Sequence, residues 1–142
     1  MTTNIATTKE QSARLLQCGV DPETADMVWT HFKSDDEQYE RLDVMSEYAY
    51  EVSSLKPIPA WSLSALLPML PYKIEIDEDP YAEILEYGLL IYPFMGSWQV
   101  DYLYCENDEC HCLKCIHSTD IIEACVQTIE WLTANNYKLN EL

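Results

Sequence analysis

The chain has 142 residues, 48% of them hydrophobic, including ten tyrosines and four tryptophans, enough to bury a core in one domain spanning 1–142 and to exclude disorder over its whole length. Against 25 acidic side chains stand 8 basic ones, a formal net charge of -17. A field of that sign repels phosphate backbones and anionic lipid surfaces, which argues against direct nucleic-acid binding and membrane docking.

The charge permits a protein partner, either a basic protein or a host nucleic-acid enzyme whose DNA site an acidic surface would imitate, and the plainer reading of the same acids is a solvated surface. The opening "MTTNIATTKE" lacks the basic region and apolar run of a secretory signal, and "LSALLPML" and "GLLIYPFMG" are too short to cross a bilayer. The expectation is a cytoplasmic protein. In a reducing compartment the six cysteines are metal ligands, nucleophiles or free thiols before they are disulfides, so a disulfide framework is the least favoured reading.

In chain order, "TTKEQSARLLQCGVD" predicts a helix with a capping box, from Thr7 with Glu10 or Thr8 with Gln11, ended by Gly19. Asp21 and Pro22 then suit a cap and a first helical position. "MVWTHFK" alternates, which predicts a strand with Met27, Trp29 and His31 on one side and Val28, Thr30 and Phe32 on the other. The segment 34–55, with seven acids, fits a helix and a strand about equally, Tyr39, Leu42 and Met45 following helical spacing while its tyrosines and valines favour strands, and the reading preferred is an exposed strand or hairpin with irregular ends. In "KPIPAWSLSALLPMLP" the prolines at 57 and 59 enforce an extended approach and Ser62 suits a cap. Leu63, Leu66, Leu67 and Leu70 mark a buried helical face whose last turn Pro68 distorts, and Trp61 packs back on it.

Beyond a short alternation at Lys73 to Asp77, "GLLIYPF" and "SWQVDYLYC" around Met95 and Gly96 read as a hairpin, with Trp98, Val100, Tyr102 and Tyr104 on the core face and Gln99 and Asp101 on the other. Asp120, with Glu123 three residues on, caps an amphipathic C-terminal helix striped by Ile121, Ile122, Cys125, Val126, Ile129 and Leu132. The sum is α+β: a small antiparallel sheet with helices packed on one face.

The words "TADM" (24–27), "PAWSLSALLPMLP" (59–71), "WQVDY" (98–102) and "DIIEACVQTIEWL" (120–132) resemble a group of short uncharacterised proteins from prophages and other mobile elements of Bacteroides-type gut bacteria. The similarity runs in the same order from Thr7 to Tyr137. It implies a provenance and a fold, carries no catalytic residue over to this chain, and does not require the cysteine cluster.

That cluster, "CENDECHCLKCIH" from Cys105 to His117, is the one stretch with the residue types of a site. Read as a loop that folds back after a strand ending at Cys105, it offers Cys105, Cys110, Cys112 and Cys115 as ligands for a structural zinc ion, with His117 as substitute. Four thiolates would close the coordination sphere, so zinc would staple the loop rather than catalyse. The alternatives are free thiols and a redox role, and the acids Glu106, Asp108 and Glu109 are expected to raise the thiol pKa values.

Elsewhere the chemistry is negative. Asp77 and Asp79 lack the spacing of a calcium loop, three glycines make no phosphate cradle, and His31 has no nucleophile beside it in sequence. The function expected is therefore that of a non-catalytic accessory protein of a mobile element. A zinc-stabilised binding module is the alternative, and a small enzyme the third class.

Overall fold

The computed structural model describes residues 4–77 and 79–141. Strands β1 (Met27–Lys33), β2 (Gln38–Val44) and β3 (Ile58–Ala60) form one antiparallel sheet in the order β2-β1-β3. Strands β4 (Lys73–Ile76), β5 (Leu85–Phe94), β6 (Ser97–Glu106) and β7 (Glu109–Ser118) form a second, a meander in sequence order. Helices α1 (Lys9–Gln17), α2 (Glu47–Val52), α3 (Leu63–Leu66) and α4 (Ile121–Ala134) complete an α+β fold, with two sheets where the sequence suggested one.

Local chemistry explains the element ends. Thr8 accepts from the backbone N–H of Gln11 while the Gln11 side chain accepts from that of Thr8, the expected reciprocal box, and Gly19 turns the chain out of α1 with φ at +86°. Pro68 limits α3 to four residues and turns its continuation, Leu67–Met69, into a 3-10 turn. Ser62 precedes α3 but does not cap it. Its backbone N–H and hydroxyl both donate to Asp26, the former at 2.9 Å, which ties the start of α3 to the loop before β1.

Segment 34–55 resolves into β2 paired along its length with β1, followed by α2, a one-and-a-half-turn helix capped by the Ser46 hydroxyl. The expected β5–β6 hairpin forms around Met95 and Gly96, whose φ angles of +49° and +79° suit a two-residue turn. His31 is half-buried with its Nδ1 2.7 Å from the Ser54 hydroxyl.

One apolar core gathers side chains from both ends of the chain: Leu15, Trp61, Leu66, Leu70, Tyr102, Ile122, Val126, Ile129 and Leu132. Trp61 is fully buried. Its N–H donates to the Thr7 hydroxyl at 3.0 Å, its carbonyl accepts from the Thr7 N–H at 2.9 Å, and its indole donates to the Thr24 hydroxyl at 2.9 Å. A large ring is thus buried with its polar atom satisfied, as burial of an indole requires.

Helices α1 and α4 are joined by Arg14, whose guanidinium donates to Glu123 at 2.6 and 3.1 Å and also to Glu130. Gln11 and Gln127 donate to the same Glu123 carboxylate. Burial pushes that carboxyl up, but the hydrogen bonds from Arg14, Gln11 and Gln127 outweigh it and hold the group below its ordinary value.

Ile129→Ala should cost about 2–5 kcal/mol in urea unfolding, the range for deleting a buried branched side chain, whereas exposed Tyr72→Ala should stay within about 0.5 kcal/mol. Because the Glu123 pKa is lowered by folding, its contribution is complete above the unfolded-state carboxyl value of about 4.3 and is lost as the pH falls through the lower folded value. Arg14→Ala should therefore lose stability at neutral pH and show a shallower acid limb than the natural chain; parallel acid limbs would contradict this role.

Candidate functional site

The stretch from Cys105 to His117 is a strand pair rather than a loop. Asn107 and Asp108, with φ at +52° and +64°, make the turn between β6 and β7, and register runs on through Cys105 opposite Cys110 and Glu106 opposite Glu109. Both turn residues are of the types that tolerate the left-handed region. Strand β7 therefore begins at Glu109, and His111, Cys112 and Cys115 are sheet residues.

In a regular strand Cys112 and Cys115, three apart, would point to opposite faces. The register shifts between Tyr102 and Leu103: Tyr102 faces Lys114 and Leu103 faces Cys112, which leaves Leu113 as the extra residue of a bulge. Leu113 packs against the core, and the bulge returns Cys112 and Cys115 to one face. Opposite Cys115 stands Asp101, opposite His117 stands Gln99, and opposite Cys112 stands Leu103. These side chains occupy the face turned away from the one on which Val100, Tyr102 and Ile116 are buried.

Of the five ligands expected from the sequence, Cys105 and Cys110 are joined to each other in a disulfide. This corrects the reading in which disulfides ranked last, and it removes both sulfurs from the four-thiolate set. The pairing has a plain cause: adjacent to a two-residue turn, positions 105 and 110 are directly opposed across the hairpin. Cys112 and Cys115 remain free and exposed. His117 is exposed on the same face, while His111 stacks on Tyr104 with ring centroids 6.2 Å apart.

The structure adds a residue that spacing did not single out. Asp101, in the middle of β6, is only 3% exposed. Its Oδ2 accepts from the Tyr92 hydroxyl at 2.7 Å, while its Oδ1 is buried and has no hydrogen-bond partner. A carboxylate oxygen, the Cys112 sulfur and the Cys115 sulfur all lie within 4.8 Å of one another. A signal for Asp101 was present: an acid is a poor strand former, yet here it sits between the core residues Val100 and Tyr102 in the middle of a strand.

Electrostatics set the state of these thiols. The neighbouring Asp101 carboxylate, which favours retention of the Cys115 thiol hydrogen, acts first and burial second to push Cys115 up to about 12. In the structure that hydrogen goes instead to Gln99 Oε1, at 3.1 Å. Cys112 is also raised, by burial first and then by Asp101. The acid that governs both is thus Asp101, rather than the turn acids Glu106, Asp108 and Glu109. Hydrogen bonding to the same carboxylate, with burial, pushes the Tyr92 phenol up to about 12. A raised thiol is a weak nucleophile at neutral pH, so the arrangement does not suit covalent catalysis.

No known protein family matches the chain, and no curated protein or solved structure matches it either.

Alkylation kinetics test the control that Asp101 exerts. Asp101→Asn should speed the reaction of Cys115 with iodoacetamide near pH 8 by about tenfold or more, since each unit of pKa is tenfold in thiolate at that pH. Buried Cys125 should stay unreactive until the protein unfolds. An unchanged Cys115 rate would show that Asp101 does not set its state.

Proposed function

We propose that this chain is a non-catalytic accessory protein of a mobile element that binds a basic protein partner through the face formed by β2 and α2. The observation that carries the reading is a pair of adjoining depressions sharing Met45 and Tyr50, with Glu47 and Glu51 lining one and Glu23 the other. An apolar floor beside carboxylates suits lysine or arginine, whose aliphatic stem buries while its head meets the acids.

The surroundings favour the same partner. Residues 34–55 hold seven acids and one basic residue, Arg41, which is spent on Asp43 at 2.8 Å and on the Phe32 ring at 4.6 Å. Val44 and Tyr48, 71% and 66% exposed, place apolar surface among these acids, and apolar surface of this kind is characteristic of interaction sites. Strand β2 is also a sheet edge, so its backbone is open on one side. Among the described residues no helix is long and apolar enough to cross a membrane. The mobile-element provenance rests on the sequence resemblance alone.

The reading is tested by affinity capture from a host lysate with the natural chain and with a Glu47→Gln, Tyr48→Ser, Tyr50→Ser, Glu51→Gln variant. A partner should be captured by the natural chain and lost with the variant. Raising salt from 0.1 to 1 M shortens screening from about 10 to about 3 Å and should weaken capture. Release of the partner by duplex DNA would identify its binding surface as a DNA site. Equal capture by the variant, or capture indifferent to salt, would refute this face as the binding surface.

A further inference from the structure

We propose that Asp101, Cys112 and Cys115 form a binding site for a single thiophilic divalent cation, of the zinc and cadmium class, on the outer face of β6 and β7. The site is independent of the partner surface on β2 and α2. It also differs from the four-cysteine set expected from spacing, since two of those sulfurs are held in the Cys105–Cys110 disulfide.

Three observations converge. The donor atoms lie within 4.8 Å of one another, so small side-chain rotations suffice to bring an oxygen and two sulfurs to bonding distances of about 2.0–2.3 Å. The bulge at Leu113 is what places both sulfurs on the same face as Asp101. Asp101 presents a buried Oδ1 with no partner, a costly arrangement for a charged group unless something positive meets it.

The neighbours of Asp101 fit a ligand's supporting shell. The Tyr92 hydroxyl donates to Oδ2, which fixes the carboxylate as residues behind a metal ligand do. Mixed thiolate and carboxylate donors favour zinc or cadmium over calcium or magnesium, which take oxygen alone. Three protein ligands leave a fourth position on an exposed sheet face, where water or the side chain of Gln99 or His117 completes a tetrahedron. On binding, each thiol gives its proton to solvent and its sulfur lone pair to the cation, so the protein changes charge without any redox step.

The experiment is equilibrium dialysis and calorimetry of the full chain with zinc chloride, with Cys112 and Cys115 kept reduced, followed by cadmium titration read as thiolate charge-transfer absorption. The natural chain should bind one zinc per chain, and cadmium, but not excess calcium or magnesium, should displace it. Asp101→Asn and Cys112→Ser should each weaken binding by about 100-fold or more, while the Cys105→Ser, Cys110→Ser double variant should bind as the natural chain does. Should Asp101→Asn misfold by circular dichroism, Cys112→Ser at an exposed position carries the same expectation. Loss of binding in the double variant, undiminished binding in Asp101→Asn or Cys112→Ser, or no zinc binding by the reduced natural chain would each overturn the site.

Discussion

Strand β6 is hydrogen-bonded along both edges, to β5 and to β7, so its side chains have only two directions in which to go. One set, Val100 and Tyr102, goes into the core, where the Tyr102 ring lies 6.0 Å from Trp131 of α4 and its hydroxyl reaches the Pro71 carbonyl at 2.8 Å. The other set begins with Gln99 and Asp101 and faces outward. A one-residue slip of this strand would drive Asp101 into the apolar core and expose Tyr102, which is why the register is firmly specified. The β5–β6 turn, the packing of Tyr102 against α4 and the placement of the Asp101 carboxylate all go with that register.

Such a carboxylate on a chain with so few cations has an unusual problem. Among the eight basic side chains, Arg14 neutralises Glu123 and Glu130 where the two terminal regions meet, Lys9 meets Glu40, and Lys73 meets Glu75 and Glu86. Asp101 has a tyrosine hydroxyl and two protonated thiols as its company. One hydrogen bond, from Tyr92, thus stands where a lysine or arginine could have paired with it, and the proposed cation supplies the missing charge.

Much of the fold was legible because it is written in local chemistry. Thr8 with Gln11 begins α1, Pro68 breaks the helix after Leu66, Met95 and Gly96 turn the hairpin, and the stripe from Ile121 to Leu132 defines α4. The departures have physical reasons. Ser62 looked like a cap, but Asp26 from a distant loop competes for it. Glu123, three residues beyond Asp120, looked like half of a capping box, but Arg14 claims it, and Asp120 caps Ile122 N–H alone. The acidic segment 34–55, evenly balanced between helix and strand by its pattern, contains one of each, and the preference for strand missed α2 because that helix is held by its Ser46 cap and the burial of Ala49 rather than by a long stripe.

The site was half legible. Its cysteines announced themselves, but their grouping depends on cross-strand register, which no spacing rule carries. The bulge at Leu113 brings Cys112 and Cys115 together, and the Asn107–Asp108 turn sets Cys105 against Cys110. The most direct measurement is a crystal grown with zinc under reducing conditions, with diffraction recorded at the zinc absorption edge. One anomalous peak bonded to Asp101 Oδ1 and to the sulfurs of Cys112 and Cys115 is the result expected. A peak seated instead on Cys105 and Cys110, or none near Asp101 with its Oδ1 held by another protein group, would contradict the account.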